Sequence, residues 1–573
     1  MNFHSLDTET LNRENGGYVV LLGFMDYGTP KFLEFPDNFK SIFDFLEGRK
    51  YTAFNMNFDA KAILHKNFLP IKILTQIGMI GWVIYGGYEF EFIPQKILRV
   101  RHIKTKKKFE IYDIKQFFDL SLKAAAKEFL PSFNQKKEIP NSWYSQMDMC
   151  LVDRRRETIL DYFFQDLKTT QGLTDLLLNS YLKIGIKPKD LFSAGYLAFI
   201  KYKDIYLREK ISDDRNNYWK RGFFGGRIEI FKMGNQGNIS LYDIHSAYPS
   251  IIKDLKSTHG VEISSGKEWA WKGECYGIYY ISVNCDPNKF KIGPLAFRDK
   301  KGFIFYPTGK FKTYCGNYAI KTLREFKIPF EVIEAREIFP DNDSPLFNDI
   351  DQLFLKRKIS GFNIACKKTL NSIYGKFCEK GRYNQKMAQI LAGRKLFKSP
   401  QLYGRGTNYI LASHITEKIR ISLWKTTQAV GESNIIAMAT DGLFIKKGIE
   451  LKTSDKIGQW GKSELKKFMI FGCGRYLWED IKTKEIKSKF RGTALGPEII
   501  RKMRHTNKRF FKIPRLHTKT LRRWADNPDN DLNVLNLEEK IFEIEDNKRI
   551  WGELPTFAGC FKKSVDSLPI ILK

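Results

Sequence analysis

The chain has no apolar run long enough to cross a bilayer, which excludes an integral helical membrane protein. Asp7 follows Met1 so closely that no targeting segment fits ahead of the first strand-like stretch, and a cytoplasmic location is expected. Eight cysteines fall at 150, 275, 285, 315, 366, 378, 473 and 560, none with C-x-x-C spacing. That spacing indicates neither a zinc ribbon nor an iron–sulfur site, and the scatter lacks the look of a disulfide framework. Fixed-period repeats and low-complexity segments are absent as well. Acid is scarce relative to base: 64 Asp and Glu stand against 96 Lys and Arg, a formal charge of +32.

The sequence does hold aromatics, 46 Phe, 26 Tyr and 10 Trp, within 573 residues, enough chain for about three or four domains. A basic, aromatic-rich composition suits a polyanion with bases to stack on. The charge is concentrated: residues 482–523 carry 15 Lys or Arg against Glu485 and Glu498 alone. That stretch would fit a duplex backbone or an acidic protein equally well. A smaller run, Lys104 to Lys108, sits between strand-like segments as a solvated hairpin tip.

Three strings in the second half carry chemistry in a fixed order. SLYDIHSAYPSII at 240–252 is an apolar run ending in Asp243, then a turn, Tyr248 and Pro249. KKTLNSIYGKF at 367–377 is helical and places Lys367, Asn371 and Tyr374 on one face. IIAMATDGLFIKK at 435–447 is a strand, Thr440-Asp441, and a second apolar stretch. Two carboxylates at strand ends can hold divalent cations against a triphosphate, and the helix face offers a cation and a flat ring. Near the N-terminus, LDTET sets Asp7 and Glu9 on alternate strand positions, so both point the same way. FNMNFDAKAIL follows with Asn55, Phe58 and Asp59, leading into a helix, and LDYFFQDLKTT puts Tyr162 and Asp166 four apart on a helix expected over 157–180. Carboxylates converging on two metals, with a Tyr to orient water, suit phosphodiester hydrolysis.

In this order the later strings resemble the family B DNA polymerase motifs D-x-x-S-L-Y-P, K-x-x-x-N-S-x-Y-G and D-T-D-S. The middle match is complete, and the first keeps Ser246, Tyr248 and Pro249. The third reads A-T-D-G: Ala439 stands where the family has its first Asp, and Asp441 matches the second, which the family treats as the essential ligand. The N-terminal strings resemble the D-x-E, N-x-x-F-D and Y-x-x-x-D motifs of a DEDD-type 3′–5′ exonuclease. FFGGRIEIF at 223–231 is similar to the family's Y-x-G-G linker, with Phe223 in place of Tyr before Gly225 and Gly226; a plain hairpin turn has about even odds on pattern alone. NQKKEI at 134–139 resembles an exonuclease motif with Lys136 as the cation. KIGQWGKSE at 456–464 resembles the palm segment before a K-x-Y motif; Tyr476 matches its Tyr, Gly474 occupies the Lys position, and Arg475 is the candidate substitute.

The resemblance implies an α/β and α+β multidomain protein: an RNase H-like 3′–5′ exonuclease domain followed by a right-hand polymerase of palm, fingers and thumb with two insertions. The expected divisions are 1–185 exonuclease, 186–235 linker, 236–345 palm with the first insertion, 346–380 fingers, 381–490 second insertion and remaining palm, and 491–573 thumb. The compact chain, with insertions at about 270–340 (strand-rich) and 379–409, resembles the small protein-primed polymerases of bacteriophages and linear plasmids.

The implied metal ligands are Asp243 and Asp441 for polymerisation, and Asp7, Glu9, Asp59 and Asp166 for proofreading with Tyr162 and Lys136. Nucleotide contacts fall to Tyr248, Lys356, Lys367, Asn371 and Tyr374; DNA contacts fall to Asn55, Phe58, Phe223, Gly225, Gly226, Thr440 and Tyr476. Lys356, Arg357 and Lys358 are expected on the helix before Gly361. The implied cofactor is Mg²⁺, two ions per site, with Mn²⁺ able to substitute. The implied partners are primer-template duplex, single-stranded DNA, deoxynucleoside triphosphates and a terminal priming protein, with the chain a monomer in the host cytoplasm if viral. A DNA-binding replication factor, or a nuclease with an impaired polymerase site, is the alternative, and Ala439 is its support.

Overall fold

A computed structural model describes residues 3–11, 18–130, 139–381, 403–490, 495–518, 535–544 and 546–573. Lys136 lies outside these residues, as does most of the expected second insertion.

The N-terminal region forms an eight-stranded mixed sheet. Its order is Thr29–Glu34, Tyr18–Asp26, Phe3–Leu11, Lys50–Ala53, Lys108–Asp113, Ile97–His102, Tyr88–Ile93 and Trp82–Tyr85. The three central strands, Phe3–Leu11, Lys50–Ala53 and Lys108–Asp113, run parallel, and the outer pairs are antiparallel. Parallel strands must be covered on both faces, and the helix Arg156–Leu182 lies over the first of them. Its inward stripe of Ile159, Phe163, Leu167, Leu173 and Leu177 is fully buried. The Lys104–Lys108 run lies at the turn between Ile97–His102 and Lys108–Asp113.

A second sheet of nine strands holds the later motifs. Its main path runs Ile486–Phe490, Arg475–Glu479, Trp460–Gly472, Lys232–Ile244, Gly442–Lys446, Ile435–Thr440 and Arg227–Ile230. Alternation divides its faces. Tyr242, Leu443 and Ile445 join the core beneath the helices Asn363–Phe377 and Tyr409–Val430. Leu241, Phe444, Phe468 and Tyr476 join a separate core with Ile500, Met503, Ile513 and Phe557.

The strand-rich interval near 270–340 is a five-stranded sheet, ordered Gly260–Ser265, Phe330–Pro340, Tyr276–Cys285, Thr308–Gly316 and Ile571–Leu572. Three boundaries differ from the sequence expectation. The second sheet begins at Arg227, inside the expected linker. The chain end does not stay with the thumb: Ser564–Leu568 pairs with Lys232–Ile244, and Ile571–Leu572 joins the five-stranded sheet. The paired helices over 345–380 are Ile350–Lys356 and Asn363–Phe377. The first stops at Lys356, with Arg357 as its C-cap and Lys358 in the turn ahead of Gly361, which takes the left-handed backbone that glycine favours (φ +80°).

Candidate active sites

Asp243 lies one residue from the end of the strand Lys232–Ile244, directly opposite Gly442 on the neighbouring strand. Asp441 occupies the tight corner between Ile435–Thr440 and Gly442–Lys446. Thr440 bends there with φ +64°, and the Asp441 N–H donates back to Ala439 O at 2.7 Å. The Ile244 N–H donates to Asp441 O at 3.0 Å and ties the corner to the Asp243 strand. A side chain at Gly442 would meet Asp243 Oδ1 at 2.2 Å. The glycine that replaces the family's serine therefore leaves the space in front of Asp243 open.

Burial raises the pKa of both carboxyls. Asp441 is pushed up to about 6, first by burial and then by the neighbouring Asp243. Asp243 is also raised by burial, against which Lys489 and His245 pull it down. An exposed carboxylate, Asp243, and a half-buried one, Asp441, that repel each other, with open space beside them, fit a hard divalent cation; Mg²⁺ commonly takes few protein ligands and fills the rest with phosphate and water.

Of the residues expected to contact nucleotide, Tyr248 and Tyr374 stand together, and Tyr248 lies within the electrostatic reach of Asp441. Tyr248 stands on the short helix Ala247–Ile252, its ring 4.6 Å from that of Tyr374. Burial and Asp441 push the Tyr248 hydroxyl up to about 12, and burial raises Tyr374 too. Lys367 and Asn371 are exposed on the same helix as half-buried Tyr374. The Lys356 ammonium lies 5.8 Å from the Phe362 ring, while the next residue, Arg357, donates to Ser246 Oγ at 2.6 Å, three residues from Asp243 in sequence. The cationic string 356–358 marked the segment, and the end of the helix turns the second of the three residues inward.

The FFGG segment is not a hairpin turn. It runs directly into the edge strand Arg227–Ile230, and a Cβ on Gly226 would stand 2.6 Å from Thr440 Cγ2 and 2.9 Å from Tyr248 Oη, whereas one on Gly225 meets nothing within 4 Å. Arg420 donates to the carbonyls of Phe224 and Gly225, Arg298 donates to that of Phe223 at 2.8 Å, and the Phe223 ring meets Tyr409 at 5.2 Å. Nothing in the spacing of Arg298 or Arg420 announced these anchors. Tyr476 packs between Phe444 and Phe468, with ring centroids at 5.3 Å from each.

At the N-terminal site, half-buried Asp7 and buried Glu9 share one side of Phe3–Leu11, next to a register shift between Glu9 and Thr10. A bulge of this kind re-aims side chains. Asp59 is buried on the helix Asn57–Ile63 and accepts from Thr8 Oγ1 at 2.9 Å, which docks that helix on the strand. Burial raises its pKa, and Asp113 adds to the rise. Asp113, which no motif flagged, accepts from the N–H groups of Asn55 at 3.2 Å and Lys115 at 2.9 Å. It thereby holds Asn55 at φ +73° beside half-buried Phe58. Tyr162 and Asp166 are buried on Arg156–Leu182. Among the described residues, no three His, Cys, Asp or Glu side chains stand close enough together to share one metal ion.

The sequence pattern of the family described as DNA polymerase type B, organellar and viral, matches residues 153–457, over half of the chain. This chain belongs to that family. It is 22% identical over 318 residues to a Podospora anserina protein described as "Probable DNA polymerase", and 25% identical over 306 residues to the "DNA polymerase" of Acidianus bottle-shaped virus. These matches take in 54% and 50% of this chain but only 24% and 42% of those relatives. The fold matches Phi29 DNA polymerase solved with primer-template DNA and incoming nucleotide (TM-score 0.67, 16% identity), over 95% of this chain and 100% of that one. It also matches Phi29 DNA polymerase complexed with single-stranded DNA, at a TM-score of 0.63 and 17% identity. The architecture is thus an exonuclease-type domain followed by palm, fingers and thumb with insertions. No helix among the described residues is long and apolar enough to cross a membrane.

Proposed function

We propose that this chain is a template-directed DNA polymerase with a 3′–5′ proofreading exonuclease, protein-primed and strand-displacing, that replicates a phage or linear-plasmid genome. The observation that carries the reading is the Asp243–Asp441 pair, one on a strand end and the other in the corner tied to that strand, with the Tyr248–Tyr374 rings alongside. Mg²⁺, or Mn²⁺ in its place, held by Asp243 and Asp441 would supply charge neutralisation for the triphosphate. Lys367, exposed on its helix, places a cation against the leaving phosphates. Tyr248 closes the floor of the sugar site and excludes a 2′-hydroxyl, the group that distinguishes ribose from deoxyribose. Tyr374 flanks the nascent base pair with Asn371 beside it, and Gly226 and Thr440 bring the backbone close to the template.

Residues 1–185 are the proofreading unit in this reading, in which Asp7, Glu9, Asp59 and Asp166 would hold the ions, no more than two of them on any one ion, and Tyr162 would orient water. Asn55 and Phe58 hold the single strand there, and Lys136 steadies the departing phosphate. Residues 346–380 are the fingers, and the thumb begins at 491. A 690 Å³ cavity lined by Arg99, Asp190, Phe192, Tyr196, Glu379 and Arg405, among others, lies where the first domain meets the fingers. The partners are DNA, deoxynucleoside triphosphates and a terminal protein, and the chain acts as a monomer in the cytoplasm. Magnesium-dependent extension of a primed template tests polymerisation. Incubation with the cognate terminal protein and one labelled deoxynucleotide tests priming: a covalent protein–nucleotide adduct is expected, and efficient start on bare template would overturn that part.

A further inference from the structure

Lys489 stands on the strand Ile486–Phe490, directly opposite Tyr476 on Arg475–Glu479. Its ammonium lies 5.7 Å from the centre of the Tyr476 ring. That ring packs on Phe444, whose cross-strand partner Leu241 sits two residues before Asp243. Residues two apart on a strand share a face, so Lys489, Tyr476, Phe444 and Asp243 line one side of the sheet. The Lys489 charge is felt by Asp243 and Asp441 alike.

Three other lysines of this sheet are ion-paired: Lys462 with Glu450 and Glu464, Lys467 with Glu479, and Lys487 with Asp480. Lys489 is exposed and makes no ion pair among the described residues. Arg475, the candidate from sequence, adjoins Tyr476 and so points to the opposite face, where it donates to Glu543 O. Gly474 forms the turn beside it at φ +69°.

We propose that Lys489 is a primer-contacting cation of the polymerase site, holding a phosphate near the primer 3′ end and supplying from the adjacent strand the charge that Gly474 and Arg475 do not. The inference rests on the polymerase reading above. An exposed lysine engages phosphate as a point charge, and the Tyr476 ring supports its stem from below.

The test compares the full-length chain with Lys489→Ala and Lys489→Arg in three measurements: primer-template affinity across a salt series, the KM for deoxynucleotide, and trimming of single-stranded DNA. Lys489→Ala should weaken primer-template binding roughly tenfold and lower the salt slope by about one. It should leave the nucleotide KM and single-strand trimming within about twofold, and Lys489→Arg should restore most of the binding. Unchanged affinity and slope in Lys489→Ala, with extension by the parent chain intact, would overturn the role of Lys489 alone. A raised nucleotide KM with primer affinity intact would also overturn it, by moving the charge to the triphosphate. Absence of extension by the parent chain would overturn the polymerase reading and this inference together.

Discussion

Replacing Asp441 by Asn should abolish nucleotide addition and at the same time make the metal-free protein more stable. The Asp441 pKa is about 6 in the folded chain against an ordinary 3.8. A shift of that size corresponds to roughly 3 kcal/mol, and to about 2 kcal/mol once partial exposure is allowed for. Because the folded pKa is raised, the ionised carboxylate costs stability at every pH above about 6. The cost fades as protons bind between about pH 6 and 4, and vanishes below the unfolded value. Asn has the same shape and no charge, so in EDTA at pH 8 the variant should melt higher, by roughly 4–8 °C for a cooperative unit of 150–250 residues. The gap should close on acidification toward pH 4. Mg²⁺ at pH 8 should reverse the order, because it stabilises only a site that can bind it. Calorimetry in EDTA and in Mg²⁺ at several pH values reads all three effects. A variant that melts below the parent in EDTA at pH 8, and stays there in Mg²⁺, would refute the electrostatic account of this corner.

Gly226→Ala should lower extension several-fold and cost about 1–3 kcal/mol of stability, because its methyl would press on Thr440 and Tyr248; Gly225→Ala, with open space around it, should be near neutral in the same assays. Tyr248→Val should raise ribonucleotide relative to deoxyribonucleotide incorporation by about tenfold or more, and unchanged sugar discrimination in steady-state competition would remove Tyr248 from the site. Asp7→Ala with Glu9→Ala should eliminate trimming of a mismatched 3′ end and keep extension; continued trimming on a labelled mismatched primer would show that the hydrolytic site lies elsewhere.

Local patterns made much of this legible. Alternation in LDTET and the apolar runs before Asp243 and Asp441 marked strands, and the i, i+4 pair Tyr162–Asp166 marked the long helix. The expected helix over 157–180 is Arg156–Leu182. Residues that act through long-range packing left no such trace. Arg420 anchors a backbone segment about two hundred positions earlier, and Lys489 reaches the site only because antiparallel register sets it opposite Tyr476. The requirement for Gly442 exists only once two strands pair and bring Asp243 against it. The chain end reads as thumb in sequence because nothing local says that 564–572 returns to two earlier sheets.

In the proposed function, Asp243 and Asp441 serve nucleotide addition and are separate from the acids of the first domain. The most direct measurement is extension of a primed template by Asp243→Ala and by Asp441→Ala, run beside trimming of single-stranded DNA by the same preparations. Each variant should lose extension by at least about 10³-fold and trim at the parent rate. Robust extension by either variant, or loss of trimming in step with loss of extension, would contradict the account.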